Sequence, residues 1–139
     1  MDQRYARNTG AVFSFGYHLV WCPKYRKPVI TGDVEVRLKE LLIEKCAEHG
    51  WEVVALETMP DHVHLFLRAD PTDAPVRIAA QLKGYTSRTL RAEFVHLRRL
   101  MGTLWSRSYF MCSVGHVSAE TITRYIELQK PSGLRKAAR

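Results

Sequence analysis

Cysteine is scarce in this chain: Cys22, Cys46 and Cys112 are the only three in 139 residues, widely spaced and set among apolar neighbours. That distribution argues against a disulfide framework, and the lack of any CxxC pair argues against a thiolate zinc site. Buried, reduced thiols in a cytoplasmic protein are the expectation. No apolar run approaches the roughly 20 residues that span a bilayer. The opening residues are polar and charged, so neither a membrane segment nor a secretory leader is expected. Internal repeats, low-complexity stretches and linkers are lacking too. The length then suits one domain, with an ordered core over about 11–130 and a short basic tail over 131–139.

What is abundant is apolar and basic. Hydrophobic residues make up 46% of the chain, enough for a single core, and 21 Lys and Arg against 14 Asp and Glu leave a net charge of +7. Such a balance favours a polyanionic partner without naming it. No small-molecule organic cofactor is expected.

Periodicity supplies the elements. Ala11 to Trp21, with Phe13, Phe15 and Tyr17 alternating against smaller residues, reads as a strand that ends at Pro23. Val34, Leu38, Leu41, Leu42 and Cys46 follow helical spacing, with Thr31 or Asp33 as the cap and Gly50 as the stop. Trp51–Met59 and His62–Ala69 read as a hairpin turning at Pro60-Asp61. One long helix is expected from Pro75 through Ile78, Leu82, Leu90, Phe94 and Leu97. Gly84 inside it would cost about 1 kcal/mol relative to Ala, so a packing or ligand reason is expected there. Tyr109–Val114 reads as a fourth strand, Gly115 breaks it, and Ser118 or Thr121 starts a last helix that Pro131 and Gly133 end. The order strand, helix, strand, strand, helix, strand, helix predicts an α+β, ferredoxin-like (split βαβ) antiparallel sheet with helices on its faces.

Three patterns carry chemistry. In Met-Pro-Asp-His-Val-His at 59–64, His62 and His64 stand at i and i+2 of a strand, so both imidazoles face one side and can converge on a cation. Tyr125 and Gln129 stand four apart on one face of the last helix, where a phenol and an amide oxygen become neighbours. Lys83, Arg88 and Arg91, interleaved with Gly84, Tyr85, Thr86 and Ser87, form the mixture that phosphates and unstacked bases require. Lys24 and Arg26, beside Trp21 and Tyr25, have the same character. Each pattern alone has a blander explanation as well: polar-face histidines, a packed tyrosine, a solvated helix face.

As an ordered set the patterns resemble the TnpA transposases of the insertion-sequence 200/605 group, which belong to the HUH superfamily of single-strand nucleases. The residues carrying the resemblance are Tyr17-His18-Leu19-Val20-Trp21-Cys22-Pro23-Lys24-Tyr25-Arg26, Glu57 to His64, Leu82-Lys83-Gly84, Trp105 to Phe110 and Tyr125 to Gln129. The resemblance implies a homodimer that binds hairpins in single-stranded DNA and cleaves beside them. Tyr125 would be the nucleophile, forming a 5′-phosphotyrosine and releasing a 3′-hydroxyl. His62 and His64 would hold the metal, with Gln129 as third ligand and Glu57 and Asp61 in support. The metal, Mg²⁺ or Mn²⁺, would polarise a phosphate oxygen and orient the scissile bond. Lys24, Arg26, Lys83, Arg88 and Arg91 would contact the DNA. Two other readings are a domesticated relative that cuts chromosomal palindromes and a non-catalytic RNA- or DNA-binding module, since ferredoxin-like sheets also bind RNA.

Overall fold

Alternation along 62–68 places Val63, Leu65 and Leu67 at full burial and leaves His62, His64, Phe66 and Arg68 half-buried on the reverse side. A computed structural model describes residues 6–8, 11–13, 16–99, 102–113 and 119–129, and this strand lies inside its main sheet. In chain order the elements are β1 (Ala6–Asn8), β2 (Ala11–Phe13), β3 (Gly16–Trp21), α1 (Gly32–His49), β4 (Glu52–Met59), β5 (His62–Arg68), α2 (Pro75–Glu93), α3 (Val95–Arg98), β6 (Phe110–Ser113) and α4 (Ala119–Leu128). The sheet order is β4-β5-β3-β6 with every neighbour antiparallel. This is the split βαβ arrangement that the element order predicts.

Directly opposed residues in an antiparallel pair share a face. The register sets Leu19 opposite Leu65 and Met111, and Trp21 opposite Val63, which makes one face of the sheet the core face. On it pack Leu38, Leu41, Leu42 and Cys46 of α1 and Ile78, Leu82 and Leu90 of α2. Each such leucine contributes about 1.5–3 kcal/mol by leaving water. The opposite face carries His62, His64 and Phe66 of β5, His18 and Val20 of β3, and Phe110 of β6, since Val20 is opposed to both His64 and Phe110. Val20 and Cys22 are fully buried although they point away from the core helices. Over this second face lies α4, with the Tyr125 ring 5.9 Å from that of Phe110.

Several expectations need correction. The long second helix is two, because Phe94 takes an extended conformation (φ −118°, ψ 108°) between α2 and α3. Phe94 and Leu97 still pack on the core, so the apolar spacing continues across a break that periodicity does not register. The first strand is likewise divided: β2 pairs with β1 in a separate ribbon, and β3 alone enters the main sheet. Thr31 stands at the N-cap of α1 but makes no side-chain cap bond. Gly50 ends that helix in the left-handed region (φ 75°), where the Trp51 N–H reaches back to the Cys46 carbonyl at 2.8 Å. A register shift between Val53 and Ala55 puts a bulge in β4. Cys22 and Cys46 are buried, whereas Cys112 is partly exposed. Residues 114–118, with Gly115 and Ser118, and the tail with Pro131 and Gly133 lie outside the described residues. Among those described, no helix is long and apolar enough to cross a membrane.

Candidate active site

The reverse face of the sheet gathers the predicted histidines and gives each a carboxylate. His62 Nδ1 lies 3.0 Å from Asp61 Oδ1, and His64 Nδ1 lies 3.6 Å from Oε1 of Glu57, its cross-strand partner. A carboxylate behind Nδ1 sets the ring orientation and raises the basicity of Nε2, which is how metal-binding imidazoles are usually backed. Both predicted supporting residues are therefore in contact with the histidines they would support. Burial lowers the His64 pKa against the opposing pull of Glu57, which favours the neutral ring; its Nε2, the nitrogen a cation would use, lies 3.1 Å from His18 Nδ1 and would have to exchange that contact for the cation.

Asp61 also accepts an ion pair from Arg26 Nε at 3.1 Å, and Arg26 Nη1 donates to the Ile126 carbonyl of α4 at 3.3 Å. Arg26 thus ties the histidine turn to the helix that carries the tyrosine. The tie has a local cost, because Tyr25 and Arg26 both have positive φ (60° and 53°), a region that non-glycine residues occupy only where surrounding contacts hold them.

Tyr125 and Gln129 meet as the helical spacing predicts, and they meet on the segment 106–108. The Tyr125 hydroxyl is 2.9 Å from Ser108 Oγ, and Gln129 Oε1 accepts from Ser108 Oγ at 3.1 Å and from Ser106 Oγ at 3.4 Å. A serine hydroxyl has one proton. With Ser108 donating to Gln129, the phenol must donate to Ser108. Burial raises the Tyr125 pKa, so the phenol is held protonated. Gln129 sits one residue beyond α4, and its Nε2 donates back to the Tyr125 carbonyl at 3.3 Å. None of its contacts among the described residues reaches His62 or His64.

Between the two halves lies Cys22, fully buried, its thiol pushed up to about 12 by burial. It feels Asp61 and Arg26 on one side and Lys83 on the other, and Tyr125 in turn feels it. The imidazoles and the phenol therefore share one face of one sheet.

Of the five predicted DNA contacts, three make hydrogen bonds or ion pairs inside the molecule. Arg26 serves Asp61 and α4, and Lys83 Nζ donates to the carbonyls of Ser106, Arg107 and Ser108 at 2.7, 3.2 and 3.1 Å. Lys24 Nζ lies over the Tyr25 ring at 5.5 Å. Arg88 is exposed and lies across Gly84, where a Cβ would come within 3.2 Å of its Nη1. An exposed arginine tip can shift by the few tenths of an ångström needed, so this contact alone does not require the glycine inside α2. Arg91 donates to the Gly102 carbonyl. Gly84, Ser87, Arg88, Arg91, Trp105 and Arg107 surround a cleft of about 380 Å³.

Sequence reasoning missed four participants. His18 Nδ1 lies 3.1 Å from His64 Nε2, and its ring stacks on Phe66 at 4.4 Å. Ser106 and Ser108 hold the tyrosine half, and Arg107 lines the cleft. All four fall inside the motif segments, so the signal was present, but which residue each would face was not.

Among the described residues no three His, Cys, Asp or Glu side chains group tightly enough to hold a metal alone. Two carboxylate-backed imidazoles still suit a divalent cation that takes its other ligands from an amide, water or phosphate oxygens.

Comparison with known proteins bears on the family and the fold. The sequence profile of IS200-like transposases matches residues 11–129. The chain is 38% identical over 125 residues to the ISDra2 transposase TnpA of Deinococcus radiodurans, covering 88% of this chain and 89% of that protein. It is 29% identical over 115 residues to the IS200 transposase of Salmonella typhimurium, covering 81% and 75%. A crystal structure from Deinococcus radiodurans, of a protein assigned as a transposase, superimposes with a TM-score of 0.86 at 36% identity over 91% of this chain and 99% of that one. A REP-associated tyrosine transposase bound to a REP hairpin shares the fold, with a TM-score of 0.52 at 13% identity over 83% and 63%.

Proposed function

Because the chain belongs to the IS200-like transposase family, we propose that it cleaves and rejoins single-stranded DNA beside hairpins at the ends of a mobile element. Tyr125 is the nucleophile. Its oxygen forms a bond to phosphorus as the bond from phosphorus to the 3′-oxygen breaks; the phenol gives up its proton and the departing oxygen gains one. One phosphodiester replaces another, so the 5′-phosphotyrosine retains the energy needed for a later 3′-hydroxyl to rejoin strands.

The observation that carries this reading is the placement of Tyr125 on the sheet face that bears His62 and His64, with Arg26 bridging the two. His62 and His64 would hold the divalent metal, which when bound neutralises phosphate charge and orients the scissile bond. Glu57 and Asp61 orient the imidazoles. In the arrangement described, the phenol's proton points to Ser108, whose own proton goes to an amide oxygen that is no base. This is therefore a resting state, and attack requires release of the Ser108 contact. Gln129, bound to the same serine, becomes available as a third ligand in that event.

Arg88, Arg91 and Arg107 around the cleft offer positive charge to the DNA backbone, and Lys24 extends it at the far side of Gly102. The same reading makes the protein a homodimer. The edge strand β4 supports it, with Val54 41% and Met59 54% exposed.

The test is direct. Purified protein, Mn²⁺ and an end-labelled hairpin-bearing single strand should give a covalent protein–DNA adduct that Tyr125→Phe abolishes. Undiminished adduct in that variant would remove Tyr125 from its role.

A further inference from the structure

We propose that Lys83 is a positioning residue for the nucleophile: its ammonium gathers the carbonyls of Ser106, Arg107 and Ser108 into the shape in which two serine hydroxyls hold Tyr125 and Gln129. The inference rests on Tyr125 being the nucleophile, and it assigns Lys83 a task other than touching DNA.

The argument begins with the valence of the ammonium. A lysine head has three N–H donors and no acceptor. Here it has three carbonyl partners, all within 3.2 Å and from consecutive residues. No donor remains for a phosphate. Lys83 does line the cleft, but its head is partly buried there, lies 5.5 Å from the centre of the Tyr109 ring, and has lost enough solvation that its pKa falls to about 8.

Three successive carbonyls turned toward one point bring their negative ends together. A cation at their focus favours that arrangement. The segment is anchored at its near end as well: Ser106 N–H donates to the Cys22 carbonyl at 2.9 Å, and Trp105 Nε1 donates to Thr86 Oγ1 at 3.0 Å. Lys83 and Thr86 lie on neighbouring turns of α2, so one rigid helix sets both the depth and the curvature of the segment. On its other side that segment presents Ser106 and Ser108 to α4. α2 on the core face thereby controls a phenol on the reverse face.

A fluorine label on the Tyr125 ring, read by ¹⁹F NMR without DNA, tests the proposal independently of cleavage. Lys83→Met should move or broaden the Tyr125 signal much as Ser108→Ala does, and the double variant should add little to either. Single-turnover adduct formation should fall about tenfold or more, while affinity for a labelled single strand stays within about twofold. Lys83→Gln, which keeps two donors, should recover part of the rate and serves if Lys83→Met does not fold. An unmoved fluorine signal, with weaker DNA binding and a salt dependence reduced by about one phosphate contact, would make Lys83 a DNA ligand and overturn the proposal. If the wild-type protein forms no adduct, the catalytic reading fails while the fluorine comparison still decides what Lys83 does.

Discussion

The histidine half and the tyrosine half of the site are built to different standards of rigidity. His62 and His64 stand on β5, which is paired on both sides and has Val63, Leu65 and Leu67 fully buried beneath it. Tyr125 stands on a ten-residue helix joined to the sheet by Arg26, by two serine hydroxyls and by an aromatic contact. A central strand opens only by giving up many backbone bonds and its buried side chains together, whereas side-chain hydrogen bonds can exchange singly, at about 0.5–1.5 kcal/mol each. The contrast teaches a division of labour. Under the proposed function, the half that would hold a cation is preorganised, and the half that would attack DNA is held by contacts that can open.

Breaking the rigid half at its base should give the largest effect. Leu65→Ala, directly under the histidine strand, should cost about 2–5 kcal/mol in urea unfolding, because a fully buried leucine leaves a cavity in a core that does not collapse around it. A loss below about 1 kcal/mol would mean that β5 is not the keystone described. A smaller change sharpens the comparison at the metal: Glu57→Gln should weaken Mn²⁺ binding by about 10–100-fold in calorimetry with little change in melting temperature. Equal weakening from Gln129→Ala without DNA would mean that the tyrosine half is already engaged at rest.

The smallest effect is one of pH. Between about 8, the folded value for Lys83, and its ordinary 10.5, the unfolded chain binds a proton that the folded chain does not. Stability therefore gains from this group as pH rises through that window, the desolvation of the ammonium outweighing its bonds to the three carbonyls even though those bonds fix the local shape of 106–108. Unfolding curves should show that rise in the wild type and not in Lys83→Met; identical pH profiles would mean that the ammonium is well solvated.

Much of this was legible in order. The i and i+2 histidines needed only the two-residue period of a strand, and the buried set Val34, Leu38, Leu41, Leu42 and Cys46 needed only the helical one. The Tyr125–Gln129 pair likewise followed from one helical turn. What stayed unread has a common reason. Lys83 and Arg26 were read as DNA contacts, and their partners inside the molecule went unseen because these lie 23 to 25 and 100 residues away. Gln129 was read as a metal ligand, whereas its contacts here are with Ser106, Ser108 and the Tyr125 carbonyl, since helical spacing says which residues are neighbours and not which way the amide turns. His18 went unassigned because only the β3–β5 register brings it against His64.

Local sequence, then, determined faces: which side chains share a side of a strand or helix, and hence which chemistry could assemble. That follows from backbone periods, which depend on φ and ψ alone. Tertiary structure decided occupancy, meaning which donors and acceptors were already satisfied by distant groups before any ligand arrives. No period encodes that choice, because it depends on which segments the folded sheet and helices bring within about 3 Å of one another.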